Sequence, residues 1–129
     1  MYCLDTSALV EIFDGVETIK QNLEQIQDRA LFITPITLCE LYKGAAHTKV
    51  TEKRLEFIRN LLYTTELLEF TQLACIIFGE DYLKLKRAGK MVKESDLMIA
   101  SICKAHGKIL ISTDRRDFEK IPDLKLQLW

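Results

Sequence analysis

Apolar residues along this chain fall into short runs that alternate with stripes of helical period, the pattern of strands and amphipathic helices taken in turn. Tyr2 to Leu4 is a brief apolar run ending at Asp5, and Thr6-Ser7 supply capping hydroxyls for a helix carrying Leu9, Val10, Ile12 and Phe13 as far as Gly15. Residues 16 to 29 set Ile19, Leu23 and Ile26 at helical spacing, and Leu31 to Ile33 is strand-like. Thr34-Pro35 opens a third helix through Ala46, proline being at home where the N–H has no partner to lose. Residues 50 to 64 align Leu55, Ile58, Leu61 and Leu62 on one stripe, Leu67 to Phe70 predicts a third strand, and Thr71 caps a long helix ending near Gly89. Ser95 to His106 predicts a helix apolar nearly all round and closed by Gly107. Ile109 to Ser112 follows as a strand, Asp114 to Lys120 as a short helical turn, and Leu124, Leu126 and Leu128 alternate like an edge strand.

Such alternation implies an α/β fold, a central mostly parallel sheet flanked by helices on both faces, because each parallel connection needs a crossover. With 129 residues, 48% of them hydrophobic, and no repeat or linker, residues 1–129 are expected to form a single domain with a core of its own. The net charge of -1 does not exclude a nucleic-acid partner, since clustered acids offset basic patches elsewhere. Cys3, Cys39, Cys75 and Cys103 form no CxxC pair and lie in apolar surroundings, which predicts buried thiols in a reducing compartment. The N-terminus lacks a basic then apolar leader pattern and no apolar run is of spanning length, so the expectation is a soluble cytoplasmic protein with no membrane partner.

Candidate chemistry lies in the acids. Ligands of parallel sheets bind beyond the carboxyl ends of strands, where Asp5 and Asp114 fall. Asp5 has an alternative reading as a helix cap, but Thr6 or Ser7 could serve that purpose. Asp96 shares a helical face with Ile99, Ala100 and Cys103, and so is either an anion at a helix N-terminus or an acid in a polar pocket. Glu40 falls off the stripe of Leu38, Leu41, Tyr42 and Ala45, and by periodicity alone it is solvated surface. Asp114 and Asp117 either cap and pair within Thr-Asp-Arg-Arg-Asp-Phe or face the same mouth, Asp114 ranking first. Carboxylates gathered at one mouth repel one another unless a cation lies between them, and hard oxygens point to Mg²⁺ or Mn²⁺.

Three blocks then carry a resemblance: Leu-Asp-Thr-Ser-Ala-Leu at 4 to 9, Thr-Pro-Ile-Thr-Leu-Cys-Glu-Leu-Tyr-Lys-Gly-Ala at 34 to 45, and the stretch from Ser95 through Lys125 with Ser-Asp-Leu-Met-Ile-Ala at its head. In order and spacing the chain resembles PIN-domain proteins, and more narrowly the VapC-type toxins of prokaryotic toxin–antitoxin pairs. The resemblance implies a PIN-like fold and a metal-dependent endoribonuclease whose metal-binding and catalytic acids are Asp5, Glu40, Asp96 and Asp114. Asp117 would be a further acid nearby, and Thr6, Ser7 and Thr113 supporting hydroxyls. It also implies an RNA substrate, an antitoxin protein over the mouth, and a homodimer. Two positions depart from the pattern: Lys93 stands where many relatives have glycine, and Asp114 where many have asparagine.

Lys84, Lys86, Arg87, Lys90 and Lys93 form a basic run upstream of Asp96 that either tracks an RNA backbone or solvates a helix end. Arg115 and Arg116 could contact phosphate or pair with Asp114 and Asp117. His47 and His106 lack a metal-ligand spacing and read as surface or capping residues. Dinucleotide binding fails for want of a GxGxxG turn. An aspartyl-phosphate phosphatase would need a second Asp where Ser7 stands, and a receiver domain would need more early acids than Asp5. The alternative from another class is a non-catalytic PIN-like RNA-binding or scaffolding module, against which the presence of all four acids argues.

Overall fold

Tyr2–Leu4 (β1), Leu31–Ile33 (β2), Glu66–Leu67 (β3), Ile109–Ser112 (β4) and Leu126–Leu128 (β5) form one five-stranded sheet in the order β3-β2-β1-β4-β5, every pairing parallel. The helices are Thr6–Phe13 (α1), Glu17–Gln25 (α2), Pro35–Ala46 (α3), Thr51–Thr64 (α4), Gln72–Arg87 (α5) and Glu94–His106 (α6). This is a computed structural model describing residues 1 to 129. The chain builds outward from β1 through β2 to β3, then returns to add β4 and β5 on the other side. Strand order therefore reverses between β1 and β4, and a crevice opens beyond their carboxyl ends.

The two-residue period of the strands divides the core. Cys3 lies beside Leu110 and Leu4 beside Ile111, so neighbours in sequence face opposite layers. Cys3 and Leu110 join Leu97, Ile99, Ile102 and Cys103 of α6 and Ala74 and Leu85 of α5 in one core. Leu4, Ile33 and Ile111 join Leu9 of α1, Leu41 and Ala45 of α3, and Ile58 and Leu61 of α4 in the other. Each large side chain withdrawn from water stabilises the fold by roughly 1.5–3 kcal/mol. The same alternation carries Asp5 and Ser112, one step beyond Leu4 and Ile111, back to the side of α6.

Local chemistry moves several predicted boundaries. Asp5, not Thr6 or Ser7, stands at the N-cap of α1, and its side chain makes no capping bond. The helix predicted over 16 to 29 stops at Gln25, because the chain must turn for Ala30 to meet the start of β1, where its carbonyl accepts the Met1 and Tyr2 N–H groups. The strand predicted over Leu67 to Phe70 is confined to Glu66–Leu67, since its partner β2 ends at Thr34-Pro35 and proline offers no N–H. Of the turn predicted from Asp114 to Lys120, only Phe118–Lys120 is helical, a 3-10 turn. The Asp114 carboxylate accepts the Arg116 N–H at 3.0 Å and holds 114–116 as a side-chain-closed turn instead. Cys3 and Cys103 are buried as expected, but Cys39 and Cys75 are exposed on the outer faces of α3 and α5. Gly107 ends α6 in the left-handed region at φ 65°, which favours glycine.

One ionic tie holds the α5/α6 layer to the tail of the chain. Lys104 Nζ donates to Asp81 Oδ2 at 2.6 Å and to the Pro122 carbonyl at 2.7 Å, and the Asp81 side chain is 3% exposed. Removing one partner of a buried pair strands the other, so Asp81→Ala should lower stability by about 3–5 kcal/mol. In urea unfolding, the double variant Asp81→Leu with Lys104→Met should recover most of that loss; a double variant as unstable as Asp81→Ala would mean that the pair contributes beyond mutual neutralisation.

Candidate active site

Asp5 leaves β1 in extended conformation, with its N–H donated to the Ile111 carbonyl at 2.8 Å, so its backbone is locked to the end of β4. Its carboxylate is 4% exposed. Ser7 Oγ donates to Oδ2 at 2.8 Å and Ser112 Oγ to the same oxygen at 2.9 Å, while no donor meets Oδ1. The two serine hydroxyls are 3.0 Å apart, and Ser7 Oγ accepts the Thr113 N–H at 3.1 Å. A buried carboxylate thus has one oxygen fixed by two hydroxyls and the other free for a ligand.

Asp96 is set in the first turn of α6, and burial, the leading cause, raises its pKa to about 7. A hydrogen bond with Asp117 and the negative charges of Asp5 and Asp117 push the same way, against the opposing charge of Lys93. Asp117 Oδ2 also accepts the Lys93 N–H at 3.1 Å, which fastens this acid to the entrance of α6. Asp96 therefore feels the negative charges of both Asp5 and Asp117.

Glu40 is brought in from α3 by a contact that its periodicity gives no sign of: Thr6 Oγ1 donates to its Oε1 at 2.8 Å. Asp114, ranked before Asp117 from sequence, is paired with Arg116. Its Oδ1 accepts from Arg116 N and Nε at 3.0 and 3.3 Å, and its Oδ2 from Nη2 at 3.4 Å. That Arg116 pairing, first through the side chain and then the backbone, lowers the Asp114 pKa. Thr113 contributes its backbone N–H, and the hydroxyl on Asp5 belongs to Ser112, which the sequence reading passed over as the end of an apolar strand. The signal for Ser112 lay in strand alternation, which turns it to the same face as Leu110. Lys84, Lys86 and Arg87 occupy the last turn of α5, and with Lys90 and Lys93 they lead along an exposed rim to Asp96. His106 Nε2 bonds the Glu69 carbonyl at 2.9 Å and His47 caps α3, both as end-of-helix groups.

As the side chains stand, no three acids, cysteines or histidines surround a common point at ligating distance. The reason is visible in their partners: Asp117 is bonded to the Lys93 N–H, Glu40 to Thr6, and Asp114 to Arg116. The donors nevertheless fit a hard divalent cation. They are all oxygen, Asp5 Oδ1 is unengaged, and the burial and neighbouring acid charges that raise the Asp96 pKa are offset by a cation as well as by a proton.

A parallel sheet with carboxylates gathered past its β1/β4 reversal defines an α/β domain of the PIN class. The PIN domain family model matches residues 2–124. This chain belongs to the PIN-domain family, as one of its VapC-type ribonucleases. It is 30% identical over 118 residues to a tRNA(fMet)-specific endonuclease VapC of Salmonella typhimurium, covering 87% of this chain and 89% of that protein. It is 28% identical to a ribonuclease VapC2 of Haemophilus influenzae over 99% of this chain and 97% of that protein. Among solved structures, VapBC2 of Rickettsia felis, bound to a DNA fragment from its promoter, superposes with a TM-score of 0.91 at 27% identity, covering 99% of this chain and 98% of that chain.

The raised pKa of Asp96 has a signed consequence for stability. Its folded pKa of about 7 exceeds the unfolded value, so the folded state holds the proton more tightly, and this contribution is lost as pH rises from about 4 through 7. In EDTA, the stability advantage of Asp96→Asn over the parent chain should therefore grow between pH 4 and 7 and then level off. Urea midpoints at several pH values measure it; a pH-independent difference would show that the carboxyl titrates normally.

Proposed function

We propose that the mouth beyond β1 and β4 is where this VapC-type endoribonuclease hydrolyses RNA phosphodiester bonds, with Mg²⁺ or Mn²⁺ held chiefly by Asp5 and Asp96. Glu40, Asp114 and Asp117 complete the acid set. The observation that carries this reading is a buried Asp5, fixed through one oxygen, facing an Asp96 whose pKa is raised to about 7. When bound, a divalent cation supplies charge stabilisation at phosphorus and acidifies water.

The chain's own groups divide the remaining work. Ser7 and Ser112 fix the orientation of Asp5, so that its free oxygen does not have to be ordered at the moment of binding. Asp96 releases its proton on ionisation and then presents a full charge to the mouth. Glu40, held through one oxygen by Thr6, keeps the other to accept a proton from attacking water. Ser7 Oγ is engaged by Asp5, Ser112 and the Thr113 N–H and is unsuited to act as a nucleophile. Water attack leaves a 5′-phosphate and a 3′-hydroxyl, whereas attack by the ribose 2′-OH leaves a cyclic phosphate. Likeness to VapBC complexes supports an antitoxin protein as partner, and a homodimer belongs to the same reading.

Cleavage of a mixed RNA pool in Mn²⁺, Mg²⁺ or EDTA tests the assignment. Asp96→Asn should cut at least about 10²–10³-fold more slowly than the parent chain, with 5′-phosphate ends mapped on the parent's products. Equal cleavage by both proteins, or cyclic-phosphate ends, would sink it. Metal-dependent RNA binding without turnover would instead identify a binding module. Ser112→Ala tests the fixing of Asp5 separately: calorimetric Mn²⁺ affinity should fall about 10–100-fold, and an unaltered affinity would remove Ser112 from the site.

A further inference from the structure

Arg116 is exposed beside Asp114 and its present bonds are poor ones. Its side chain is 87% exposed, and its contacts with Asp114 run at 3.3 and 3.4 Å, longer than the 2.7–2.9 Å typical of charge-assisted pairs. No partner meets Nη1. The charges of Asp117 and Asp96 also act on the guanidinium, so it lies within electrostatic reach of the acids on both sides of the site. An exposed ion pair of this kind contributes little to stability and is readily exchanged. A phosphodiester arriving at several carboxylates meets repulsion, and a planar fork with unused donors is the group that matches phosphate oxygens.

Resting on the reading of this mouth as an RNA-cleaving site, we infer that Arg116 is a phosphate-exchange residue. It holds the Asp114 carboxylate until a substrate phosphate replaces it on the guanidinium, and Asp114 Oδ2 is then free to serve the acid site. Asp114 carries a negative charge that Arg116 neutralises in the absence of substrate. Substrate binding and completion of the acid set are thereby one event. The Arg116 N–H to Asp114 Oδ1 bond does not involve the guanidinium, so the exchange releases Oδ2 while Oδ1 keeps the local turn.

The test is binding of a labelled single-stranded RNA by anisotropy in EDTA, across about 50 to 200 mM KCl, with Mn²⁺ calorimetry on the same proteins without RNA. Arg116→Ala should bind RNA about 10-fold more weakly and flatten the slope of log affinity against log salt by about 0.7, one phosphate contact on a single strand. Arg116→Lys should keep the slope but regain only part of the affinity, having charge without the fork. Asp114→Asn, which removes the competitor, should bind RNA more tightly than the parent chain. Mn²⁺ affinity of Arg116→Ala should be equal to or above the parent's, because Asp114 is released. RNA affinity and slope unaltered in Arg116→Ala overturn the inference, as does a loss of Mn²⁺ affinity, which would make Arg116 a brace for the acids. A parent chain that cuts RNA beside an unaltered Arg116→Ala sinks this inference alone, whereas a parent chain that neither binds nor cuts RNA sinks the function reading with it.

Discussion

The Asp5 carboxylate is the constraint around which the rest of this molecule is arranged. A carboxyl group on a residue of 4% exposure needs polar partners, and two serine hydroxyls on a single oxygen supply only part of them. Those serines come from α1 and from the end of β4, 105 positions apart, so β1, α1 and β4 must all be in register before the charge is satisfied. The sheet topology provides that register. Because β4 inserts beside β1 rather than beside β3, the reversal of strand order falls where Asp5 leaves the sheet.

Helix α6 answers from across the crevice. Its inward face presents Ile99, Ala100 and Cys103 to the core, and Asp96, one turn before Ala100, is carried by the same face to the top of that layer. Packing therefore fixes the carboxylate in partial burial, and burial raises its pKa. The ionic tie of Lys104 to Asp81 and to the Pro122 carbonyl holds the far end of the same helix. Core, ion pair and acid site are consequences of one docking.

How legible this was in the sequence depended on whether the deciding contact was local. Asp5 and Asp96 could be placed because a strand end and a helix start are local signals, and the strand and helix order followed from apolar periodicity. Glu40 could not be placed by periodicity, because the group that reaches it is Thr6, 34 positions away. Ser112 was hidden at the end of an apolar run, where only pairing with β1 reveals its face. The relative standing of Asp114 and Asp117 turned on side-chain partners, Arg116 for one and the Lys93 N–H for the other, which spacing cannot distinguish. Cys39 and Cys75 misled because apolar neighbours in sequence did not mean a buried face on α3 and α5.

The hydrogen bond between Asp96 and Asp117 shows why such a mouth is a poor stabiliser and a good binder. An Asp96 that keeps its proton avoids repulsion, but it does not then offer its full charge. Ionisation of Asp96 near neutrality restores the charge at the cost of renewed repulsion with Asp5 and Asp117. That repulsion is a free energy that a cation relieves on arrival, so the strain that weakens the fold becomes part of the driving force for binding. The hydroxyls of Ser7 and Ser112 on Asp5, and the Lys93 N–H on Asp117, keep these acids from escaping the conflict by swinging toward solvent.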